Sequence, residues 1–232
     1  MTYVFEPAPQ ASVPVIGEAA QFPVRRVYCV GRNYADHARE MGHDPDREPP
    51  FFFAKPADAL NPVALDAPGV FPYPPQSQDV HFEVELVVAL ARGGRDIPAG
   101  QALDHVYGYA LGLDMTRRDL QAQAKKMGRP WDAAKGFDLS APIGPIRPVA
   151  QGGHLTHGAI WLKVGDADRQ RSDIDQMIWP VADTIAFLSG LFELKAGDLI
   201  FTGTPSGVGA VGRGDVMHFG IDGLYELSVQ VA

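Results

Sequence analysis

The chain has 232 residues, 46% of them hydrophobic and 21% charged, with a formal net charge of −8. That length and apolar content allow one large domain, or a small arm plus a main domain, and argue against a disordered chain. The acidic balance excludes the basic field of a general nucleic-acid or membrane-surface binder, and a single cysteine, Cys29, excludes an internal disulfide framework.

The first residues, MTYVFEPAPQ, carry neither a basic n-region nor an apolar h-region, and no apolar run approaches bilayer length. Together with the lone cysteine this predicts a soluble, cytoplasmic protein with no nucleic-acid or membrane partner. RRVYCVG then reads as a strand and YADHAREMG as a short helix ended by Gly42. Residues 1–60 form a candidate N-terminal arm, and the proline-rich PGVFPYPPQSQ is a connector into a main body of residues 61–232. DVHFEVELVVAL is a strand by its alternation, and VYGYALGLDM a second, glycine-containing one. TRRDLQAQAKKMG is an amphipathic helix ended by Gly128. DIDQMIWPVADTIAFLSGLFEL is a third helix, with Asp173 or Asp175 near its start and Pro180 as a break or restart. AIWLKVG, DLIFTG and LYELSVQVA complete the strands. Strands dominate without regular alternation with helices, which argues against a doubly wound sheet and a solenoid and for an irregular, mostly β (α+β) domain.

Three local features carry candidate chemistry. Glu83 and Glu85 fall on one strand face, about 7 Å apart along the strand. Either that face is solvated, or the pair holds a hard divalent cation such as Mg2+, Mn2+ or Ca2+. Asp114 stands at a strand end before a helix, as a third carboxylate or as an N-cap shared with Thr116. His37 and Glu40 lie at i and i+3, so they share a helix face, as a surface pair worth a few tenths of a kcal/mol or as a base and its orienting acid.

Six stretches occur together and in order: VYCVGRNYADHAREMG, KPADAL, HFEVELVVAL, GYALGLDMTRRDLQ, GRPWDAAKGFD and DLIFTGTPSGVG. From about Phe22 to Gly209 the chain resembles the fumarylacetoacetate hydrolase family, in its short acylpyruvase branch. The run HAREMGHDPDREPPFFFAKPADA is most similar to bacterial fumarylpyruvate hydrolases of the gentisate pathway. The resemblance implies a mixed β-roll with a few short helices, usually a homodimer. It also implies metal-dependent cleavage of a small-molecule acylpyruvate, a 2,4-dioxo acid.

Carried over by motif, Glu83, Glu85 and Asp114 become ligands of Mg2+ or Mn2+. His37 and Glu40 become a water-activating pair on a segment that could close over substrate with Met41 and Gly42. Lys135 is implied to reach the metal-bound oxygens, where a protonated amine would offset enolate charge. Gln121, two turns beyond Asp114, and Thr204 in the glycine-rich GTPSGVG loop are implied substrate contacts, while Pro205 and Gly207 read as turn residues. Arg32, Lys55, Arg117 and Arg118 are candidate partners of a distal carboxylate. His81 reads as a supporting residue, Trp131 and Trp179 as packing residues. His43, His105, His154, His157 and His218 show no site spacing. Two alternatives remain at this level: an oxaloacetate decarboxylase using the same site, and a non-catalytic binding protein that keeps the fold.

Overall fold

The computed structural model describes residues 2–40 and 49–232. The fold is mostly β, and the strands among the described residues form four sheets with parallel and antiparallel pairs. Its centre is the strand Val84–Leu90, which pairs antiparallel with Val106–Leu113 on one side and Leu199–Phe201 on the other. From Leu199–Phe201 the sheet continues through Val27–Gly31 to the edge strand Phe51–Lys55. On the far side it passes through Ala141–Ile143 to Leu60–Pro62.

A five-stranded sheet runs Ala167–Asp173, Ala159–Val164, Val216–Ile221, Tyr225–Val231, Gly69–Phe71. Gly69–Phe71 lies within the segment expected to be a plain connector; its parallel pairing with Tyr225–Val231 supplies the hydrogen bonds that a proline-rich run cannot make locally.

Every residue of Val84–Leu90 is buried. Val84, Leu86, Val88 and Leu90 belong to one hydrophobic cluster, with Phe71, Phe82, Leu111, Phe219 and Leu227. Val87 and Ala89 belong to a second cluster, with Val13, Phe22, Ile143 and Phe201. The two-residue period of a strand therefore delivers side chains to two cores rather than to a core and water. A solvated face for Glu85 is ruled out by this burial.

The run read as one strand is two. Val80–Phe82 belongs to a three-stranded sheet with Thr116–Arg117 and Gly209–Val211, and the chain changes sheets at Glu83. Helices sit where capping allows: Arg118–Met127 ends at Gly128 in the left-handed region, and Val181–Leu191 starts directly after Pro180, behind a short 3-10 turn at Ile174–Gln176. Among the described residues, no helix is long and apolar enough to cross a membrane.

Gly112 marks a tight point of the central sheet. A Cβ there would lie 2.7 Å from the Phe201 ring and 2.9 Å from Val87. Gly112→Val is expected to cost about 1–3 kcal/mol by overpacking, read as a lower urea midpoint at unchanged m-value.

Candidate active site

Glu83, at the sheet switch, and Asp114, just past the end of Val106–Leu113, are joined through the backbone: the Asp114 amide donates to the Glu83 carbonyl at 2.8 Å. Glu85 follows one pleat later, opposite Gly112. All three carboxylates are buried, and one ligand oxygen from each lies within 4.8 Å of the others. Asp114 is not a helix cap, because the following helix begins at Arg118 with Arg117 at its N-cap.

Cations surround this acidic cluster unevenly. Lys135 Nζ donates to Glu83 Oε2 at 2.6 Å and Asp114 Oδ2 at 2.8 Å. Arg118 Nη2 donates to Glu83 Oε1 at 2.5 Å, and its Nη1 to Gln121 Oε1 at 2.6 Å. Lys55 Nζ lies 2.8 Å from Asp114 Oδ1, yet its donors point to the Met115 and Lys135 carbonyls and to Ser140 Oγ. Among the described residues, Asp114 Oδ1 is thereby buried without a hydrogen bond, and Glu85 accepts only the Gly203 amide, at 2.9 Å.

These differences set the protonation states. Burial, then Asp114 and Glu83, push the Glu85 carboxyl well above its ordinary value. Burial would raise Glu83 as well, but Lys135 and Arg118 outweigh it and hold Glu83 well below the usual range. Burial would lower the Lys135 ammonium, but Asp114 and Glu83 outweigh it and raise it. A cluster of hard oxygen donors, with one orphaned oxygen and one carboxyl that ionises only reluctantly, fits a divalent cation of the Mg2+ or Mn2+ type.

The cluster opens into a narrow cleft lined by His37, Thr204, Gln121, Arg32, Lys125 and Trp131 among others. His37 is 6% exposed on the helix Ala35–Glu40, and its Nδ1 lies 3.2 Å from Glu40 Oε2. Burial lowers its imidazole, while Glu83 and the Glu40 hydrogen bond pull the other way. Residues 41–48, including Met41, Gly42 and His43, lie outside the described residues.

The structure therefore brings His37, Lys135, Gln121, Thr204, Arg32, Arg118, Glu83 and Glu85 around one cleft, with Asp114 beside the two glutamates and Glu40 behind His37. It removes Lys55, whose buried side chain stands behind Asp114, from the candidates for a distal carboxylate. Arg117 goes too: it packs on Phe137 at 4.5 Å, outside the cleft. Trp131, expected only to pack, lines the cleft, whereas Trp179 packs at a tilt against Phe187 away from it. His81 pairs with Asp79 at 2.9 Å, and His154 with the Tyr109 hydroxyl at 2.9 Å.

Four supporting residues escaped sequence reasoning: Gln170, Asn33, Lys125 and Gly203. Gln170, 1% exposed, donates to Thr204 Oγ1 and to the Pro205 carbonyl, and accepts the Val84 amide. Since Thr204 Oγ1 accepts from Gln170, its own proton is free to point elsewhere. Asn33, fully buried, donates to the Thr202 and Trp179 carbonyls and so ties the approach to the His37 helix onto the 202–207 loop. The Gly207 amide reaches Glu40, at 3.2 Å from Oε2. Lys125 lies on the cleft side of its helix, i+4 from Gln121, a spacing that could have exposed it. Gly203 is required by its geometry: its φ is +95°, and a Cβ would lie 2.7 Å from that of Asn33.

Residues 26–232 match the model of the fumarylacetoacetate (FAA) hydrolase C-terminal family. The chain is 42% identical over 200 residues to a mitochondrial oxaloacetate decarboxylase of Dictyostelium discoideum, covering 86% of this chain and 90% of that one. It is 42% identical over 193 residues to a fumarylpyruvate hydrolase of a Ralstonia species, covering 82% and 98%. Among solved structures, a fumarylpyruvate hydrolase from Pseudomonas aeruginosa, in complex with Mn2+ and pyruvate, superposes with a TM-score of 0.98 at 60% identity, covering 100% of this chain and 99% of the other. With the fold, the buried acidic triad and these relatives in agreement, the chain belongs to the fumarylacetoacetate hydrolase family and is a hydrolase acting on carbon–carbon bonds.

Proposed function

We propose that the chain hydrolyses fumarylpyruvate to fumarate and pyruvate. The observation that carries this reading is the convergence of a buried carboxylate triad and a His37–Glu40 pair on one cation-lined cleft. The likeness to a fumarylpyruvate hydrolase that holds Mn2+ and pyruvate supports it.

A Mg2+ or Mn2+ ion bound by Glu83, Glu85 and Asp114 would supply Lewis-acid stabilisation for charge growing on the 2-oxo oxygen of the substrate. The chain's own residues divide the remaining work. Thr204 donates its free hydroxyl proton, and Gln121 its amide, to the pyruvyl end. Glu40 holds His37 Nδ1 as the N–H tautomer, which leaves Nε2 as the acceptor of a water proton. The water oxygen bonds to C4, the C3–C4 electron pair leaves as pyruvate enolate, and C3 then takes up a proton. Lys135, kept charged by Glu83 and Asp114, places a fixed cation beside the growing negative charge.

Similarity to the oxaloacetate decarboxylase favours a second reading, in which the same pocket stabilises an enolate formed by loss of CO2. That reaction needs no activated water. His37→Ala that loses acylpyruvate hydrolysis but keeps oxaloacetate decarboxylation would show the two activities sharing one site.

Under the hydrolytic reading, His37→Ala should lower kcat on fumarylpyruvate by about 10²–10⁴-fold, the usual worth of a general base. Loss of the enol absorbance reports the rate. Because the base works neutral, kcat/KM should fall as pH drops through the His37 pKa, with the limb below the ordinary histidine value. Glu40→Gln should move that limb lower still, since Glu40 raises His37.

The metal assignment has its own check. At a Mn2+ concentration about 100 times the Kd, wild-type protein should gain about 2.7 kcal/mol, read as a rise in Tm. Glu85→Gln should abolish most of that gain while leaving the metal-free Tm equal or higher, because it removes a carboxyl crowded by Asp114 and Glu83.

A further inference from the structure

The mouth of the cleft has a construction that the cleavage chemistry does not use. Lys125 Nζ lies 5.4 Å from the centroid of the Trp131 ring. Trp131 meets Phe51 edge-on at 5.6 Å, and the Arg32 guanidinium sits over Phe51 at 5.0 Å. Two cations thus flank an aromatic pair, and all four side chains line the cleft. Arg32 holds this place with φ at +58°, a conformation rarely adopted by a long side chain.

Two cations deeper in the cleft are committed to the acidic cluster and its neighbour Gln121. Both terminal nitrogens of Arg118 are drawn inward to Glu83 and Gln121, and Lys135 lies between Glu83 and Asp114. Lys125, by contrast, makes no hydrogen bond and no ion pair with any described residue; its ring contact with Trp131 leaves the ammonium donors available. Burial, followed by repulsion from Arg32 and Arg118, lowers its pKa. An anion placed between these cations would relieve that repulsion.

We infer that Lys125, acting with Arg32, is the specificity-determining residue that receives the distal carboxylate of a dicarboxylic substrate. This rests on the acylpyruvate reading, in which the metal-type end of the cleft takes the 2-oxo acid group. Arg118, Gln121 and Lys125 lie at i, i+3 and i+7 on one helix, so a single face runs from the carboxylate triad to the mouth. A substrate with an acid group at each end would span that face, its unsaturated acyl chain lying along Phe51 and Trp131. A mono-acid would leave the Lys125 ammonium without a carboxylate to meet.

Lys125→Met tests the inference by keeping the length of the side chain and deleting its charge. The variant should lose about 10–100-fold in kcat/KM on fumarylpyruvate, as expected when one charge-assisted hydrogen bond disappears, and less than about threefold on acetylpyruvate, which has no distal carboxylate. Lys125→Arg should restore most of the fumarylpyruvate activity. Equal losses on both substrates, or no loss on either, would overturn the role.

A binding measurement separates this inference from the reaction. Calorimetric titration of Mn2+-loaded protein should show tighter binding of 2-oxoheptanedioate than of 2-oxoheptanoate, with the preference lost in Lys125→Met. If wild-type protein hydrolyses no acylpyruvate yet shows that preference, the reaction assignment fails and the distal subsite stands. If it hydrolyses acylpyruvates while Lys125→Met keeps the diacid preference, the subsite assignment fails and the reaction stands.

Discussion

Three carboxylates gathered in the interior are the constraint around which the rest of the molecule is organised. Water would solvate each of them at no cost; inside two hydrophobic clusters they need compensating charge or a proton. Lys135 and Arg118 compensate Glu83, and Lys135 with Lys55 flanks Asp114. Among the described residues, Glu85 receives a single amide hydrogen bond and no cation pairs with it. This unequal provision leaves the cluster short of positive charge at one corner, which is the electrostatic condition for taking up a divalent ion. Stability and ligand affinity are therefore opposed at Glu85: whatever would quiet this carboxyl in the metal-free chain would also weaken the site.

The loop at residues 202–207 transmits that constraint outward. Its Gly203 amide holds Glu85, Thr204 faces the cleft, and Gly207 reaches Glu40 behind His37. Asn33 binds the loop from one side and Gln170 from the other. One short segment thus sets the spacing between the acidic cluster and the His37–Glu40 pair. The positive φ of Gly203 lets the loop turn closely enough against Asn33 to make both contacts.

How much of this the sequence discloses depends on the range of the interaction. The alternation in HFEVELVVAL places Glu83 and Glu85 on one side, and the i, i+3 spacing pairs His37 with Glu40, because both are local consequences of helix and strand geometry. Burial of the glutamate face is not local. It follows from a second sheet covering the strand, and periodicity alone cannot tell a face turned to water from one turned to another core. The family resemblance pointed to the acidic triad through motifs, not through burial. Gln170 stayed hidden for the same reason: within ADRQRSD it looks like one more polar residue of an exposed strand, and only the packing of that strand against Val84 and the Thr204 loop gives it work. Gly69–Phe71 shows the reverse case, where proline-rich composition suggests a connector but a distant partner strand makes it a sheet edge.

The sheet switch at Glu83 has a consequence for how the protein comes to exist. The Glu83 carbonyl takes the Asp114 amide, and Glu85 takes the Gly203 amide, 118 residues later. Leu199–Phe201 must dock beside Val84–Leu90 before that second bond can form. A ribosome therefore delivers all three carboxylates long before the segment that finishes their enclosure. Closing so long a loop carries an entropic cost and delays the final geometry of the site until late in folding. Until that last segment arrives, the acidic side chains of the emerging chain remain hydrated, and the cell's free divalent ions meet loose carboxylates instead of a chelating cage.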